Sequence, residues 1–231
     1  MNNLSNKIKH IFFDLDHTLW DFETNSGKTF EQIFDKHKID VNFFDFMEVY
    51  KPINHNYWKL YREEKITKSK LRYGRLKDAF DELNFETTEE LIDLLAEEYI
   101  SYLPFNNALF EGAHEILAYL KPKYKIHIIT NGFEEVQHKK MNNANLLDYF
   151  DKIITSEEVG VKKPNPKIFK YAMDKAQAKQ EESMMIGDNF EADILGARNV
   201  GMQTIFCKFN GETSDDETVS VTRLLEIKQY L

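Results

Sequence analysis

Two hydrophobic periodicities alternate along this chain. Short unbroken apolar runs at residues 8–13, 126–129, 152–155, 184–186 and 204–207 read as strands, because a strand covered on both faces has no polar side to show. Spaced apolar positions predict helices over 134–145, 166–178, 190–199 and 221–230. Strand and helix in alternation imply a doubly wound α/β fold, a parallel sheet with helices on both faces. Ligands of such sheets bind beyond the carboxyl ends of the strands.

From Leu19 to Phe110 the strand signal is absent. Residues 22–38, 43–64, 69–83 and 88–103 carry helical spacing instead. Thr87-Thr88-Glu89-Glu90 reads as a capped start, with hydroxyls ahead of early acids. Pro52 is expected to kink or interrupt the second of these helices. The expected organisation is a core of 1–19 and 106–231 with an inserted helical cap, 20–105, and a return hinge at Phe105-Asn106-Asn107. There is no internal repeat, and Asp215-Asp216-Glu217 reads as a solvated turn.

Composition narrows the partners. The 231 residues are 42% hydrophobic, enough for one substantial core or a core with a smaller attachment. A formal net charge of −9 argues against a nucleic-acid polymer or an anionic membrane, both of which call for a basic face. A small anionic substrate stays compatible, since a metal ion and a lysine or two reverse the local field. Cys207 is the only cysteine, so no intrachain disulfide or thiolate metal site forms, and a buried thiol at a strand end is expected. No apolar run approaches the ~20 residues of a membrane span. Met1-Asn2-Asn3-Leu4-Ser5 lacks a signal-peptide stretch. A cytoplasmic protein, monomer or homodimer, is the expectation.

Candidate chemistry sits where strand patterns end. Asp14 and Asp16 follow the first strand, and an extended chain across Leu15 would point both the same way. Asp14 then suits attack on phosphorus to form an acyl phosphate, and Asp16 protonates the departing oxygen and later activates water. Thr18 is placed to orient Asp16, and His17 faces away or lines the entrance. Thr130-Asn131-Gly132 ends the second strand, and its hydroxyl and backbone N–H groups suit either a phosphate cradle or a helix N-cap. Lys163, stiffened by Pro164-Asn165-Pro166, offers a fixed cation to the nucleophile and the transferring oxygens, in preference to Lys162. After the fourth strand, Asp188 suits direct ligation of Mg²⁺. Asp193 is expected farther out, holding a water or Lys163, with Glu191 facing solvent.

These motifs, in this order, resemble those of the haloacid dehalogenase superfamily, specifically its phosphatases with a helical cap after the first motif. The resemblance covers nearly the whole chain. It implies Asp14 as nucleophile, Asp16 as acid/base, phosphate binding by Thr130 and Lys163, and Mg²⁺ held by Asp14, the Asp16 backbone carbonyl and Asp188. The true dehalogenases place an aromatic at the position of Asp16, so the acid here speaks against carbon–halogen cleavage. Sugar phosphomutases usually follow the paired acids with Gly-Val, where this chain has His17-Thr18.

The stretch from Asp14 to Glu23, together with Trp58, Gly74 and Leu71-Arg72…Arg75, is similar to the YjjG-type pyrimidine 5′-nucleotidases. That similarity implies a nucleotide as the small phosphorylated metabolite acted on. Trp58, Tyr61, Arg62, Arg72 and Tyr73 are the cap residues that could meet a base or sugar, although bundle packing explains the aromatics equally. The rival readings are a sugar-phosphate phosphatase or phosphomutase, a phospho-acceptor signalling module and a non-catalytic nucleotide-binding protein. Signalling receivers have about 120 residues, near the common domain size, and carry no cap.

Overall fold

Ile11, Phe12 and Phe13 have no solvent exposure, and the strand they form is the middle of the molecule's sheet. The computed structural model describes residues 7–209, 215 and 218–231. In chain order it runs β1 (His10–Phe13), α1 (Phe22–His37), α2 (Phe43–Arg62), α3 (Lys68–Glu82), α4 (Glu89–Tyr102) and α5 (Ala113–Leu120). There follow β2 (Lys125–Thr130), α6 (Glu134–Asn143), β3 (Lys152–Thr155), α7 (Ser156–Val159), α8 (Pro166–Ala176) and β4 (Ser183–Gly187). The chain ends with a π-helical segment Phe190–Leu195, α9 (Gly196–Arg198), β5 (Gln203–Cys207) and β6 (Ser220–Val221). Among the described residues all strand pairings in the sheet are parallel, in the order β3-β2-β1-β4-β5-β6. The order reverses between β1 and β4, the kind of switch point at which doubly wound sheets open a crevice for ligands.

One sheet face contributes Phe12, Ile129, Ile154 and Met185 to a core completed by Ile168, Phe169 and Ala172 of α8 and by Ala197 of α9. The alternate strand positions Ile11, Phe13, Ile128 and Ile186 are equally buried, so both faces are covered.

The C-terminal end departs from expectation. Residues 221–230 do not form one helix: Val221 pairs with Cys207 in β6, and only a 3₁₀ turn, Leu224–Gln229, follows. Pairing with β5 is a tertiary gain that local spacing does not announce. Helix α5 was not expected either; it starts after Gly112, whose φ of 81° is the left-handed region a glycine adopts freely. Pro52 lies inside α2 without interrupting it. Asp215 pairs with Arg198 at 2.9 Å, while Asp216, Glu217 and residues 1–6 lie outside the described residues.

The chain divides into two compact units, Met1–Phe22 with Asn107–Leu231, and Glu23–Asn106. The second is built on aromatic contacts: Phe30 lies 4.6 Å from the rings of both Tyr50 and Tyr99, and 5.0 Å from Phe46. Arg75, 2% exposed, rests against Tyr99 and donates from Nη1 to Asn54 Oδ1 at 2.9 Å. Thr88 caps α4 by accepting from the Leu91 N–H, as its position before the acids suggested.

The sheet also buries two imidazoles. His10 Nδ1 and His127 Nε2 are 3.0 Å apart on neighbouring strands, so one ring donates and the other accepts. Burial and then the neighbouring His10 hold His127 down to about 4. A group whose folded value lies below its unfolded one contributes fully above the unfolded value and loses that contribution as pH falls. Stability should therefore decline by on the order of 3 kcal/mol between pH 6.5 and 4 through His127 alone. Denaturant melts across that range should show His127→Gln with a shallower slope than wild type; equal slopes refute the assignment.

Candidate active site

Asp14 sits one residue past β1, and its N–H donates to Ile186 O of β4 at 2.9 Å. The ladder therefore continues beyond the strand and fixes the carboxylate at the β1/β4 switch. The chain then turns. His17 has a φ of 63°, its N–H donates to Trp20 O at 3.0 Å, and the Trp20 N–H returns to Leu15 O at 2.9 Å. The His17 ring lies 4.9 Å from the Phe22 ring, tilted by 36° to it.

Lys163 comes from the loop between α7 and α8. Asn131 clamps that loop, with Nδ2 donating to Lys163 O at 3.0 Å and Oδ1 accepting the Lys163 N–H at 2.8 Å. The ammonium, 2% exposed, lies 2.6 Å from Asp14 Oδ1 and 2.7 Å from Asp193 Oδ1, and donates to Ile129 O at 2.7 Å. Burial alone would depress its pKa, but the pairs with Asp14 and Asp193 raise it. Lys162 is less buried, consistent with its neighbour being the inward cation.

Asp188 follows β4 and accepts from Thr18 Oγ1 at 3.0 Å. Asp193 Oδ2 accepts the Asn189 N–H at 3.0 Å, and a β-carbon on Gly187 would overlap that carboxylate. Asp14, Asp188 and Asp193 each present an oxygen within 4.8 Å of the others. Burial, then the charge of Asp193, raises Asp188 to about 8, and burial with its acidic neighbours pushes Asp14 well up despite Lys163. When ionised, the three carboxylates face one ammonium, and the two uncompensated charges fit a divalent cation held by oxygen ligands. Among them Asp193 is already taken by Lys163 and Asn189, which leaves Asp14 and Asp188 as the open donors.

Four sequence expectations change in detail. Thr18 orients Asp188, not Asp16, because the left-handed turn at His17 carries the chain toward β4. Asn131 holds the Lys163 loop with both side-chain polar atoms. The Gly132 N–H donates to Thr130 Oγ1 at 3.0 Å and so is spent within the motif. Asp16 is held by two residues of α6 that sequence reasoning missed: Gln137 Nε2 donates to its Oδ2 at 2.9 Å and Lys140 Nζ to its Oδ1 at 2.7 Å. Their only sequence signal is a spacing of three on one helix, which solvated faces share. Glu191 is exposed, as expected. Trp58, Arg62 and Arg72 belong to the helical unit and are half-buried on α2 and α3, with Trp58 edge-on to Tyr61.

A sequence model of the haloacid dehalogenase-like hydrolases matches residues 8–201, and the chain belongs to that family. Its relatives narrow the kinship. The chain is 35% identical over 230 residues to the pyrimidine 5′-nucleotidase YjjG of Escherichia coli, covering 96% of each. It is 33% identical to a glyceraldehyde 3-phosphate phosphatase of Methanothermobacter thermautotrophicus, over 91% of this chain and 89% of that one. The structure of the HAD-hydrolase YfnB from Bacillus subtilis, solved bound to magnesium, superposes with a TM-score of 0.88 at 25% identity, covering 96% of this chain and 98% of that one.

Removing the central cation should be severe. Lys163→Met leaves buried carboxylates uncompensated, and the melting transition should report a loss of about 3 kcal/mol. An unchanged transition would mean that the ammonium does not balance the acids.

Proposed function

We propose that this chain is an Mg²⁺-dependent phosphomonoester hydrolase that works through an aspartyl phosphate on Asp14, with nucleoside 5′-monophosphates as its substrates. The observation that carries the reading is the buried Lys163 ammonium shared by Asp14 and Asp193 beside Asp188. A nucleophilic carboxylate, a fixed cation and open oxygen donors converge at one point.

Asp14 Oδ1 is engaged by Lys163, so Oδ2 is the oxygen that attacks. The new O–P bond forms as the ester P–O bond breaks, and the departing oxygen keeps the electron pair and takes a proton from Asp16. Water then gives a proton to Asp16 and bonds to phosphorus, and the Asp14–phosphorus bond breaks to return the free carboxylate. Lys163 neutralises charge on the transferring oxygens, and the Thr130 hydroxyl donates to one of them. Asp14, Asp188 and the Asp16 backbone carbonyl would hold Mg²⁺, which supplies a Lewis acid for the phosphoryl oxygens. The helical insertion acts as a cap whose Trp58, Arg62 and Arg72 set substrate choice.

The nucleotide assignment is supported by the 5′-nucleotidase relative at 35% identity. The glyceraldehyde 3-phosphate phosphatase relative favours a sugar-phosphate substrate as the second reading. Phosphate release measured across pyrimidine and purine 5′-monophosphates, sugar phosphates and p-nitrophenyl phosphate separates them; a preference for a sugar phosphate overturns the nucleotide assignment. Asp14→Asn should abolish release without altering the fold by circular dichroism.

The metal has its own readout. Mg²⁺ at a hundredfold excess over its Kd should stabilise the wild type by about 2.7 kcal/mol, with most of that gain lost in Asp188→Asn. Equal stabilisation of both proteins would remove Asp188 from the ligand set.

A further inference from the structure

We propose that Gln137 and Lys140 of α6 are positioning residues: Gln137 couples the phosphate-gripping hydroxyl of Thr130 to the carboxylate of Asp16, and Lys140 fixes that carboxylate's other oxygen. The inference rests on the roles proposed above for Thr130 and Asp16.

The Gln137 amide is fully buried, and its nitrogen carries two hydrogens. One points to Asp16 Oδ2 at 2.9 Å and the other to Thr130 Oγ1 at 2.7 Å. Reversing the amide would set its oxygen against a carboxylate, so Asp16 itself fixes which end faces the site. Among the described residues Gln137 Oε1 finds no partner, and the amide is held by what its nitrogen donates. A β-carbon on Gly132 would overlap this amide, so the glycine of the Thr130 motif makes room for it.

The consequence for Thr130 follows from counting lone pairs. Its oxygen accepts from the Gly132 N–H and from Gln137 Nε2, which fills both acceptor positions. The hydroxyl proton is then the part of the group left to act, and it can only donate. Gln137 thereby makes Thr130 a donor, which is what an anionic oxygen requires.

Lys140 works on the opposite side of the carboxylate. It is 2% exposed, its Nζ is 2.7 Å from Asp16 Oδ1, and it sits over the Trp20 ring at 4.1 Å. Trp20 closes the turn that carries Asp16, so the cation and the turn hold one another. With both oxygens engaged, the Asp16 side chain has a defined direction before substrate arrives.

The two residues touch different things, and that gives the test. Lys140→Met removes the ammonium but keeps an unbranched side chain, and should lower kcat by ~10²-fold with KM within about twofold of wild type. Gln137→Met should lower kcat comparably and also raise KM about tenfold, because Thr130 loses its orientation. Lys140→Arg should recover much of the lost kcat. With p-nitrophenyl phosphate, whose leaving group needs little protonation, both methionine variants should give a burst of nitrophenol equal to the enzyme, then slow turnover limited by hydrolysis of the aspartyl phosphate.

Kinetics near wild type in both variants, or losses without the KM split and without the burst, overturn the inference while leaving the phosphatase reading intact. Loss of the folded circular dichroism signal in both variants overturns it too, since the contacts would then be structural. A wild-type chain that releases no phosphate from any phosphomonoester sinks both.

Discussion

A primary ammonium with 2% exposure has to be compensated on every side, and Lys163 is. Its ammonium donates to Asp14 and to the Ile129 carbonyl and pairs with Asp193, all within 2.7 Å. Each partner comes from a different strand end: Asp14 after β1, Ile129 within β2, and Asp193 after β4. The lysine thus ties together the segments that leave the sheet at its switch point. Desolvating such a charge is tolerable only because the acids around it are themselves too many for one cation.

Much of the neighbouring sequence serves that arrangement. Asn131 uses both ends of its amide to hold the lysine's backbone, which explains an asparagine where a phosphate contact was expected. Gly187 is small because the Asp193 carboxylate occupies the space of a side chain, and Gly132 is small because Gln137 does. Thr18 donates to Asp188 and keeps an acid with few other partners in place. The result is a site in which many polar atoms are fixed by protein contacts. That is the preorganisation that phosphoryl transfer rewards, since positioning and charge supply most of the catalysis.

The helical unit shows a different balance. Its centre is aromatic and includes a buried guanidinium that rests against Tyr99 and donates to Asn54. Gly74 lies where the ring of Tyr57 passes, and the Tyr57 hydroxyl donates to Asp78 at 2.7 Å. These contacts account for Gly74 and Arg75, two residues of the family resemblance.

The sequence by itself determined the parallel sheet, because doubly buried strands such as Ile11-Phe12-Phe13 must be apolar throughout. It also determined that Asp14 and Asp188 gather, because each stands just past a strand and parallel strands end on one side, whereas Lys163 enters from the loop between α7 and α8. It could not determine which polar group touches which. The turn at His17 sent Thr18 to Asp188, and α6 brought Gln137 and Lys140 to Asp16 from more than a hundred residues away. The edge strand β6 exists only because β5 offers it a ladder. Hydrophobic burial is written locally, as a period along the chain. Hydrogen-bond partnership depends on directions within a few tenths of an ångström, and those are set only when the layers pack.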